Sequence, residues 1–417
     1  MLKNTDPNDI HPVETPGAFA PGCLTGLKVF DLTRVLAGPT CVQMLADLGA
    51  DVVKIERPGA GDDTRAFTPP LMPGTSQGAY FSGTNRNKRS VTLDISTPEG
   101  QELALALIAK CDVLVENFKV GALARYGLGY EQLREKFPGL IYCSITGFGQ
   151  TGPYAPRPGY DSVVQAMGGV MSLTGEPDGL PQKVGVPVAD LFAGLYACIG
   201  ILAALRHKEH TGEGQQVDIG MLDASVAWLA NQGMNYLATG QNPPRLGNQH
   251  PNIAPYQVFE TEDGAVMITV GNDPTFQRFC GAFGMPDLAA DPRFATNAAR
   301  VGNREALTQA LAPLFKQHPT SWWVKELEAN KIGYGPINRL SDVFADPHVR
   351  ARGTVFEMTG IDGVPMKLVA NPVRLSRTPP SYRIAPPALG QHTGDVLGDW
   401  LDLPPEEVAR LRDAGVI

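Results

Sequence analysis

Asp190 is the residue whose surroundings point most directly to chemistry. It stands near the start of an apolar run, VADLFAGLYACIGILAAL, which is typical of a buried helix. Aspartate is a common helix N-cap, and that role alone would explain its position. A carboxylate at a helix start among apolar residues also has few water partners, while the helix dipole favours its charge by about 0.3–1 kcal/mol. Poor solvation combined with a retained charge suits a carboxylate nucleophile.

Two basic stretches favour an anionic ligand. The segment NRNKR, residues 85–89, is the densest basic cluster, and Arg57 follows a predicted strand. Ligands of parallel sheets bind at the carboxyl ends of the strands, so Arg57 is well placed to meet one. The basic cluster is interpreted either as a solvated turn or as a clamp for phosphate groups.

A glycine pattern after a predicted strand matches GxGxxG but does not fit a dinucleotide site. In such a site the glycines open a helix whose N-terminus holds the pyrophosphate. Here GFGQTG, residues 147–152, is followed by PYAPRPGY. Three prolines in six residues prevent a helix beyond its first turn. We therefore interpret the glycines as a loop that lets a ligand or another chain approach the backbone.

Short apolar strands alternate with helical stretches, which predicts βαβ units and a parallel sheet. The predicted strands are 27–32, 51–56, 90–95, 112–118, 140–146 and 215–221, and a long helix is predicted from Asp190 to about Lys208. The fold class is α/β, with a large domain containing the parallel sheet and a smaller α+β domain. We predict a flexible leader at 1–22, the large domain at 23–220, a linker at 221–250 and the small domain at 251–345.

Composition narrows the function classes. The 417 residues carry a formal net charge of −8 and are 43% hydrophobic, which fits an acidic globular enzyme and argues against nucleic acid or a membrane as partner. Six cysteines without a CxxC pair, and histidines without metal-ligand spacing, predict neither disulfides nor a metal site. The first residues lack the basic start and apolar core of a signal peptide, so we expect a cytoplasmic protein.

Five sequence blocks, in order and at consistent spacing, resemble the class III CoA-transferases, the family of formyl-CoA transferase and carnitine CoA-transferase. The resemblance extends from about residue 24 to the C-terminus. It implies that the large domain is Rossmann-like, that residues 346–417 return to complete it, and that two ring-shaped chains interlock as a homodimer. The blocks are LTGLKVFDLTRVLAGPTCVQMLADLGADVVKIERPGAGDDTR, NRNKRSVTLDI, DVLVENFKVGALARYGLGY, CSITGFGQTGPY and VADLFAGLYA.

The resemblance also implies a mechanism and a set of contacts. Asp190 matches the family's nucleophile, which carries coenzyme A as an aspartyl thioester. Coenzyme A and its acyl thioesters are then substrates, and no cofactor is bound permanently. The coenzyme A contacts that carry over by motif are Arg34, Val35, Leu36, Ala37, Arg57, Lys88, Arg89, Asn117, Phe118 and Arg125.

The acceptor acid is less narrowly defined by the sequence. Leu36 and Phe148 replace a glutamine and a tyrosine of formyl-CoA transferase, which argues against formate and oxalate. The GAGDDTR, YGPIN and GQHT stretches look most like the succinyl-CoA:glutarate CoA-transferase branch. A dicarboxylate needs a partner for its second carboxylate, and the candidates are Arg65, Arg86 and His250. Gly247 belongs to a segment that resembles the family's mobile glycine loop.

Two alternatives stay open on the sequence alone. The first is α-methylacyl-CoA racemase, which shares the fold but needs a histidine base where this chain has Tyr160. Tyrosine is a poor base near neutral pH, because its ordinary pKa is about 10. The second is a binding protein that holds coenzyme A without transferring it, in which Asp190 would be unreactive.

Overall fold

The computed structural model describes residues 21–417, so the predicted leader lies outside the described residues except for Pro21 and Gly22. These residues form two compact units. The larger contains the described residues up to Gly169, together with Val184–Trp228 and Asp346–Ile417. The smaller contains Val170–Lys183 and Leu229–Ala345. The segment Val170–Lys183 was predicted to lie in the large domain, but its own contacts assign it to the smaller unit.

The larger unit is built on a six-stranded sheet in which all neighbouring strands are parallel. Its strand order is β3-β2-β1-β4-β5-β6, so the order reverses between β1 and β4. Such a reversal opens a crevice at the carboxyl ends of the two strands, where ligands of α/β sheets bind. The strands are β1 (Lys28–Leu32), β2 (Asp51–Glu56), β3 (Lys88–Thr92), β4 (Val113–Glu116), β5 (Ile141–Thr146) and β6 (Gln216–Gly220).

Helices cover both faces of this sheet, as the apolar, β-branched strands require. The described helices of the larger unit up to residue 228 are α1 (Ala37–Asp47), α2 (Ala79–Thr84), α3 (Pro98–Ile108), α4 (Tyr130–Lys136), α5 (Asp161–Met167), α7 (Val188–Thr211) and α8 (Met221–Trp228). Helices α6 (Val170–Leu173) and α9 (Ala230–Thr239) belong to the smaller unit. Short 3-10 turns span Asp63–Ala66 and Leu123–Tyr126.

Helices α1 and α7 pack closely because small residues line their contact. A Cβ placed on Gly194 of α7 would lie 2.5 Å from the Ala37 carbonyl oxygen, so only glycine allows this approach. Helix α7 is 24 residues long and is apolar enough to cross a membrane by length and composition. The core helix of a soluble protein passes the same test, and the buried residues of α7 belong to the core on one face of the sheet.

The smaller unit has a three-stranded antiparallel sheet over an aromatic core. Its strands are β7 (Tyr256–Glu260), β8 (Ala265–Thr269) and β9 (Gly333–Pro336), and its later helices are α10 (Asp273–Ala282), α11 (Pro286–Ala290), α12 (Asn297–Gly302), α13 (Arg304–Phe315), α14 (Thr320–Ala329) and α15 (Leu340–Ala345). The hairpin predicted at 256–270 corresponds to β7 and β8.

The C-terminal segment returns to the larger unit. It contains α16 (Pro347–Ala351), the antiparallel pair β10 (Val355–Thr359) and β11 (Pro365–Val369), and the helices α17 (Thr393–Leu401) and α18 (Pro405–Asp413). Val396, Leu397 and Trp400 of α17 are buried with the residues of β1 and β2 on one face of the sheet. This segment therefore completes the core that the first half of the chain leaves open.

Candidate active site

Asp190 lies in the first turn of α7, inside the helix that begins at Val188. Its side chain makes no cap hydrogen bond, so the interpretation as an N-cap is wrong. Burial, and to a smaller extent the negative charge of Asp161, raise the pKa of Asp190 from its ordinary value of 3.8 to about 7. The carboxylate is thus poorly solvated and close to half ionised at neutral pH.

Asp161 lies beside Asp190 because it is bonded to the same helix start. Its Oδ1 accepts a hydrogen bond of 2.9 Å from the Ala189 N–H, and its Oδ2 accepts one of 2.7 Å from Gln165 Nε2. The Gln165 side chain is fully buried and also accepts the Val184 N–H at 2.9 Å. The sequence analysis missed Asp161, because helix α5 is short and stands in a segment rich in glycine and proline.

Tyr80 is a second neighbour that the sequence analysis missed. Burial raises its pKa, and the negative charges of Asp190 and Asp161 add to that shift. The ring packs edge-on against Phe67 at 5.6 Å between centroids, and 37% of the residue is exposed. A phenol in this position presents a hydroxyl group within electrostatic range of the Asp190 carboxylate. A lone tyrosine in α2 carries no sequence signal of that role.

The loop that follows β1 lies at the reversal of the strand order. It contains Arg34, Val35 and Leu36, and α1 begins at Ala37. The Arg34 guanidinium lies 5.0 Å from the Phe118 ring and 3.3 Å from Asp63. The structure therefore brings Arg34 and Phe118, both predicted coenzyme A contacts, to the same crevice. The close contact of Gly194 with Ala37 links this loop to α7, one helical turn beyond Asp190.

Arg57 and Arg125 remain available for an anion. Arg57 is exposed just beyond β2, and no hydrogen bond or ion pair to its side chain is found within residues 21–417. Arg125 is exposed, and its Nε donates a hydrogen bond to the Ala122 carbonyl. Both follow the carboxyl ends of strands, which agrees with the predicted side of the sheet.

The prediction that Lys88 binds a phosphate is corrected by its position. Residues 88–92 form β3, two residues earlier than expected, and the Lys88 side chain has no exposed surface. Its ammonium lies 3.2 Å from Asp31 and donates to the Pro39 carbonyl and to Asn85. A buried charge of this kind is tolerated because a carboxylate neutralises it. Lys88 therefore supports the site from inside the sheet.

Three predicted arginines are likewise occupied by structural ion pairs. Arg89 pairs with Asp51, the first residue of β2, and so points to the amino edge of the sheet, away from Arg57. Arg65 donates two hydrogen bonds to Glu56, and Arg86 donates two to Asp47. Neither Arg65 nor Arg86 has a free guanidinium edge for the second carboxylate of a substrate, which corrects both predictions.

The other predicted substrate contacts fall in different places. In the larger unit Phe148 is buried against Tyr154, and Tyr160 is 68% exposed just before Asp161. Gly247 and His250 belong to the smaller unit. Burial and the nearby charge of Arg304 lower the pKa of His250, so it is neutral at pH 7 and is a poor partner for a carboxylate.

The segment around Gly247, which resembles the family's mobile glycine loop, is tied down within the smaller unit. The Gly247 N–H donates to the Gly175 carbonyl at 3.1 Å. Arg245 donates to the carbonyl oxygens of Glu176, Pro177 and Gly179. These bonds fix the segment to the loop that follows α6, which argues against free movement of the segment.

A cavity of about 320 Å³ lies beside β4, β5 and β6 in the larger unit. Glu116, Ser144 and Gln150 line it, and none of the predicted coenzyme A contacts does. Burial raises the pKa of Glu116 to about 7 against the opposing effect of a hydrogen bond from Ser144. Within residues 21–417 no group of three or more His, Cys, Asp or Glu side chains is arranged to hold a metal ion.

Comparison with known proteins gives one consistent family. The chain matches the family described as CoA-transferase family III over residues 24–393. The succinate–glutarate CoA-transferase of Agrobacterium fabrum is 49% identical over 384 residues, which cover 90% of this chain and 95% of that protein. The human succinyl-CoA:glutarate CoA-transferase is 41% identical over 413 residues, which cover 99% and 91% of the two chains.

Solved structures agree with the sequence relatives. A CAIB/BAIF family protein from Brucella suis is 48% identical, with a TM-score of 0.81, and the match covers 91% of this chain and all of that one. Rv3272 from Mycobacterium tuberculosis is 32% identical, with a TM-score of 0.80, and the match covers 90% and 99% of the two chains.

Proposed function

Because the chain belongs to CoA-transferase family III and is therefore an enzyme, we propose that it moves coenzyme A from succinyl-CoA to glutarate through a thioester on Asp190. The observation that carries this proposal is the poorly solvated carboxylate at the start of α7, whose pKa is raised to about 7. The relatives named as succinyl-CoA:glutarate CoA-transferases, at 41–49% identity, support the choice of substrates.

The first half of the reaction loads the enzyme. An Asp190 oxygen attacks the thioester carbon of succinyl-CoA and expels coenzyme A as its thiolate, which leaves a mixed anhydride. The thiolate then attacks the aspartyl carbonyl and breaks its bond to the bridging oxygen. Succinate leaves with that oxygen, and Asp190 carries coenzyme A as a thioester.

The second half repeats these steps with the acceptor. A glutarate carboxylate attacks the aspartyl thioester and again expels the thiolate, which then attacks the glutaryl carbonyl. Glutaryl-CoA leaves, and the oxygen that bridged the anhydride stays on Asp190. The thioester bond is exchanged without net hydrolysis, so the chemistry needs no ATP and no permanently bound cofactor.

Each tetrahedral intermediate needs hydrogen-bond donors at its oxyanion, and one such donor is worth about 3–4 kcal/mol. The first N–H groups of a helix have no acceptor within that helix, and α1 begins at Ala37, against the turn of α7 that follows Asp190. We assign the N–H groups at the start of α1 to this task. Tyr80 is a further donor beside the same carboxylate.

Arg34, Arg57 and Arg125, with Phe118, are the residues that we assign to the coenzyme A phosphates and their surroundings. They are exposed or stacked at the carboxyl ends of β1, β2 and β4. Guanidinium groups suit phosphates because they donate parallel hydrogen bonds. A racemase is not supported, since the position that needs a histidine base is the exposed Tyr160.

We also propose a homodimer. Helix α7 exposes an apolar stripe made of Leu195, Tyr196, Ile199 and Leu202, which are 36–61% exposed. Exposed apolar stripes of this kind mark protein interfaces. Ile199→Asp is expected to shift the chain from dimer to monomer in light scattering, and a wild-type monomer would contradict the proposal. The interlocked arrangement of the two chains rests on the family resemblance alone.

A cytoplasmic location is the last element of the proposal. All six cysteines are free thiols, and Cys41, Cys143, Cys198 and Cys280 are buried. Unpaired thiols agree with a reducing compartment. Fractionation of the native cells is expected to find the protein in the soluble cytoplasmic fraction, and recovery from another compartment would contradict the assignment.

The test of the proposed reaction uses succinyl-CoA with a panel of dicarboxylic acids, with the acyl-CoA products followed by mass spectrometry. Glutaryl-CoA is expected from the wild type and is expected to be absent with Asp190→Asn. Asp395→Asn is the matched control, because Asp395 also lies in a first helical turn, that of α17, and is exposed. Normal transfer by Asp190→Asn would contradict the mechanism.

A further inference from the structure

The loop between β1 and α1 contains a valine in the left-handed region. Val35 has φ = 68°, a conformation that a β-branched side chain strongly disfavours. Backbone strain of this kind persists only where the surroundings over-determine the conformation. The side chains that bond to the backbone next to Val35 are therefore the ones that keep this loop in its conformation.

Asn117 holds the peptide groups on the N-terminal side of Val35. Its Oδ1 accepts the Arg34 N–H at 2.9 Å, and its Nδ2 donates to the Arg34 carbonyl at 2.7 Å. This reciprocal pair joins the loop after β1 to the residue that follows β4, directly across the reversal of the strand order. An asparagine matches both backbone groups, because its amide carries an acceptor and a donor side by side.

Buried charges hold the remaining polar atoms of the same two peptide groups. The Val35 N–H donates to Asp62 Oδ1 at 3.2 Å. The Asp62 side chain is paired with the buried Lys54 ammonium at 2.9 Å, and Lys54 also donates to the Thr33 carbonyl at 2.8 Å. Consecutive peptide groups of residues 33–35 are thus bonded to side chains that are themselves fixed. Such a loop is preorganised before any ligand arrives.

We propose that Asn117 is a positioning residue, whose amide keeps Val35 in its left-handed turn and thereby sets the start of α1 beside Asp190, in place of the direct coenzyme A contact that the sequence suggested. This inference rests on the proposed function for its catalytic consequence. Each polar atom of the Asn117 side chain makes a hydrogen bond to Arg34, so the loop itself accounts for the orientation of the amide.

The test is a double-mutant cycle between Asn117→Ala and Val35→Gly. Glycine adopts positive φ without strain, so a chain with Gly at 35 needs Asn117 less. We expect Asn117→Ala to lower kcat/KM for succinyl-CoA about thirtyfold in the wild-type background but only about threefold in the Val35→Gly background, a coupling typical of residues in contact. Val35→Ala is the matched control, because alanine removes the same methyl groups and keeps the penalty for positive φ.

A second measurement separates this inference from the proposed function. Hydrogen exchange of the peptide that contains residues 34–37 is expected to speed up in Asn117→Ala and less so in the double variant, whether or not the protein transfers coenzyme A. Asn117→Asp keeps the acceptor and loses the donor, so it replaces the alanine variant if that variant does not fold. Its loss of kcat/KM is again expected to be smaller in the Val35→Gly background. An equal loss in both backgrounds, with unchanged exchange, would show that Asn117 touches the ligand and would overturn the inference. Absence of transfer by the wild type would refute the proposed function alone.

Discussion

The Asp161 carboxylate is bonded to the helix turn that carries Asp190, through the Ala189 N–H at 2.9 Å. The negative charge of Asp161 therefore lies next to that of Asp190, in a region with little water. The charge of Asp161 and the burial of Asp190 act in the same direction, since both raise the pKa of Asp190. The pair keeps the nucleophile weakly solvated, and its ionisation falls near physiological pH.

Asp161→Asn is expected to move the ionisation of Asp190 to lower pH. Asparagine keeps an oxygen for the Ala189 N–H but removes the negative charge, which is the smaller of the two causes of the shift. The acid limb of kcat/KM, which rises with pH as Asp190 loses its proton, is expected to move down by about half a unit to one unit. Tyr80 also faces Asp190, so the profile is compared in a Tyr80→Phe background. An unmoved acid limb would show that Asp161 does not influence the nucleophile.

Asp190→Asn is expected to stabilise the protein above neutral pH. A carboxylate whose pKa is raised on folding binds its proton more tightly in the folded state, so the stability of the wild type falls between about pH 4 and pH 7. The variant escapes this loss. Its free energy of unfolding is expected to exceed that of the wild type by about 1–3 kcal/mol at pH 8, after allowance for partial solvent screening, and to equal it near pH 3.5. Equal free energies of unfolding for the wild type and the variant at pH 8, measured by urea unfolding, would argue against a poorly solvated carboxylate at Asp190.

Lys88→Met is expected to lower the stability of the protein, whereas Arg57→Met is expected to weaken the binding of succinyl-CoA. Lys88→Met removes the ammonium that lies 3.2 Å from the buried Asp31 carboxylate and leaves the charge of Lys54 as its remaining buried counter-charge, which costs about 3–5 kcal/mol of stability. Adding Asp31→Asn is expected to recover part of that loss.

Arg57→Met removes an exposed cation, so the free energy of unfolding is expected to change by less than about 0.5 kcal/mol while the KM for succinyl-CoA rises severalfold. A specific rise in KM for Lys88→Met at unchanged stability would restore its role as a phosphate ligand.

The sequence was most informative where physical constraints are local. Parallel strands buried on both faces are rich in apolar residues, and the segments that became β1, β2, β4 and β5 are mostly apolar, although Asp31 of β1 and Lys54 of β2 are buried charges. The apolar helix that carries Asp190 was recognised for the same reason, although α7 begins two residues earlier and runs three residues further than expected.

Long-range charge pairing explains the main errors. A run of basic residues predicts a surface cluster. Nothing near Lys88 in the sequence shows that the Lys88 ammonium is neutralised by Asp31 inside the sheet. Arg65 and Arg86 were misjudged in the same way, because Glu56 and Asp47 are separated from them by 9 and 39 residues. The position of Asp161 beside Asp190 and the left-handed conformation of Val35 were missed for a different reason, since the position of a short helix and the backbone conformation of a loop depend on tertiary contacts.

Transfer of one oxygen atom tests the central claim most directly. The protein is incubated with succinyl-CoA and glutarate whose carboxylates carry heavy oxygen, and the peptide that contains Asp190 is then weighed by mass spectrometry. Because the anhydride oxygen from glutarate stays on the enzyme, we predict that Asp190 gains one heavy oxygen in the first turnover that forms glutaryl-CoA. Formation of glutaryl-CoA with no heavy oxygen on Asp190 would contradict the covalent mechanism.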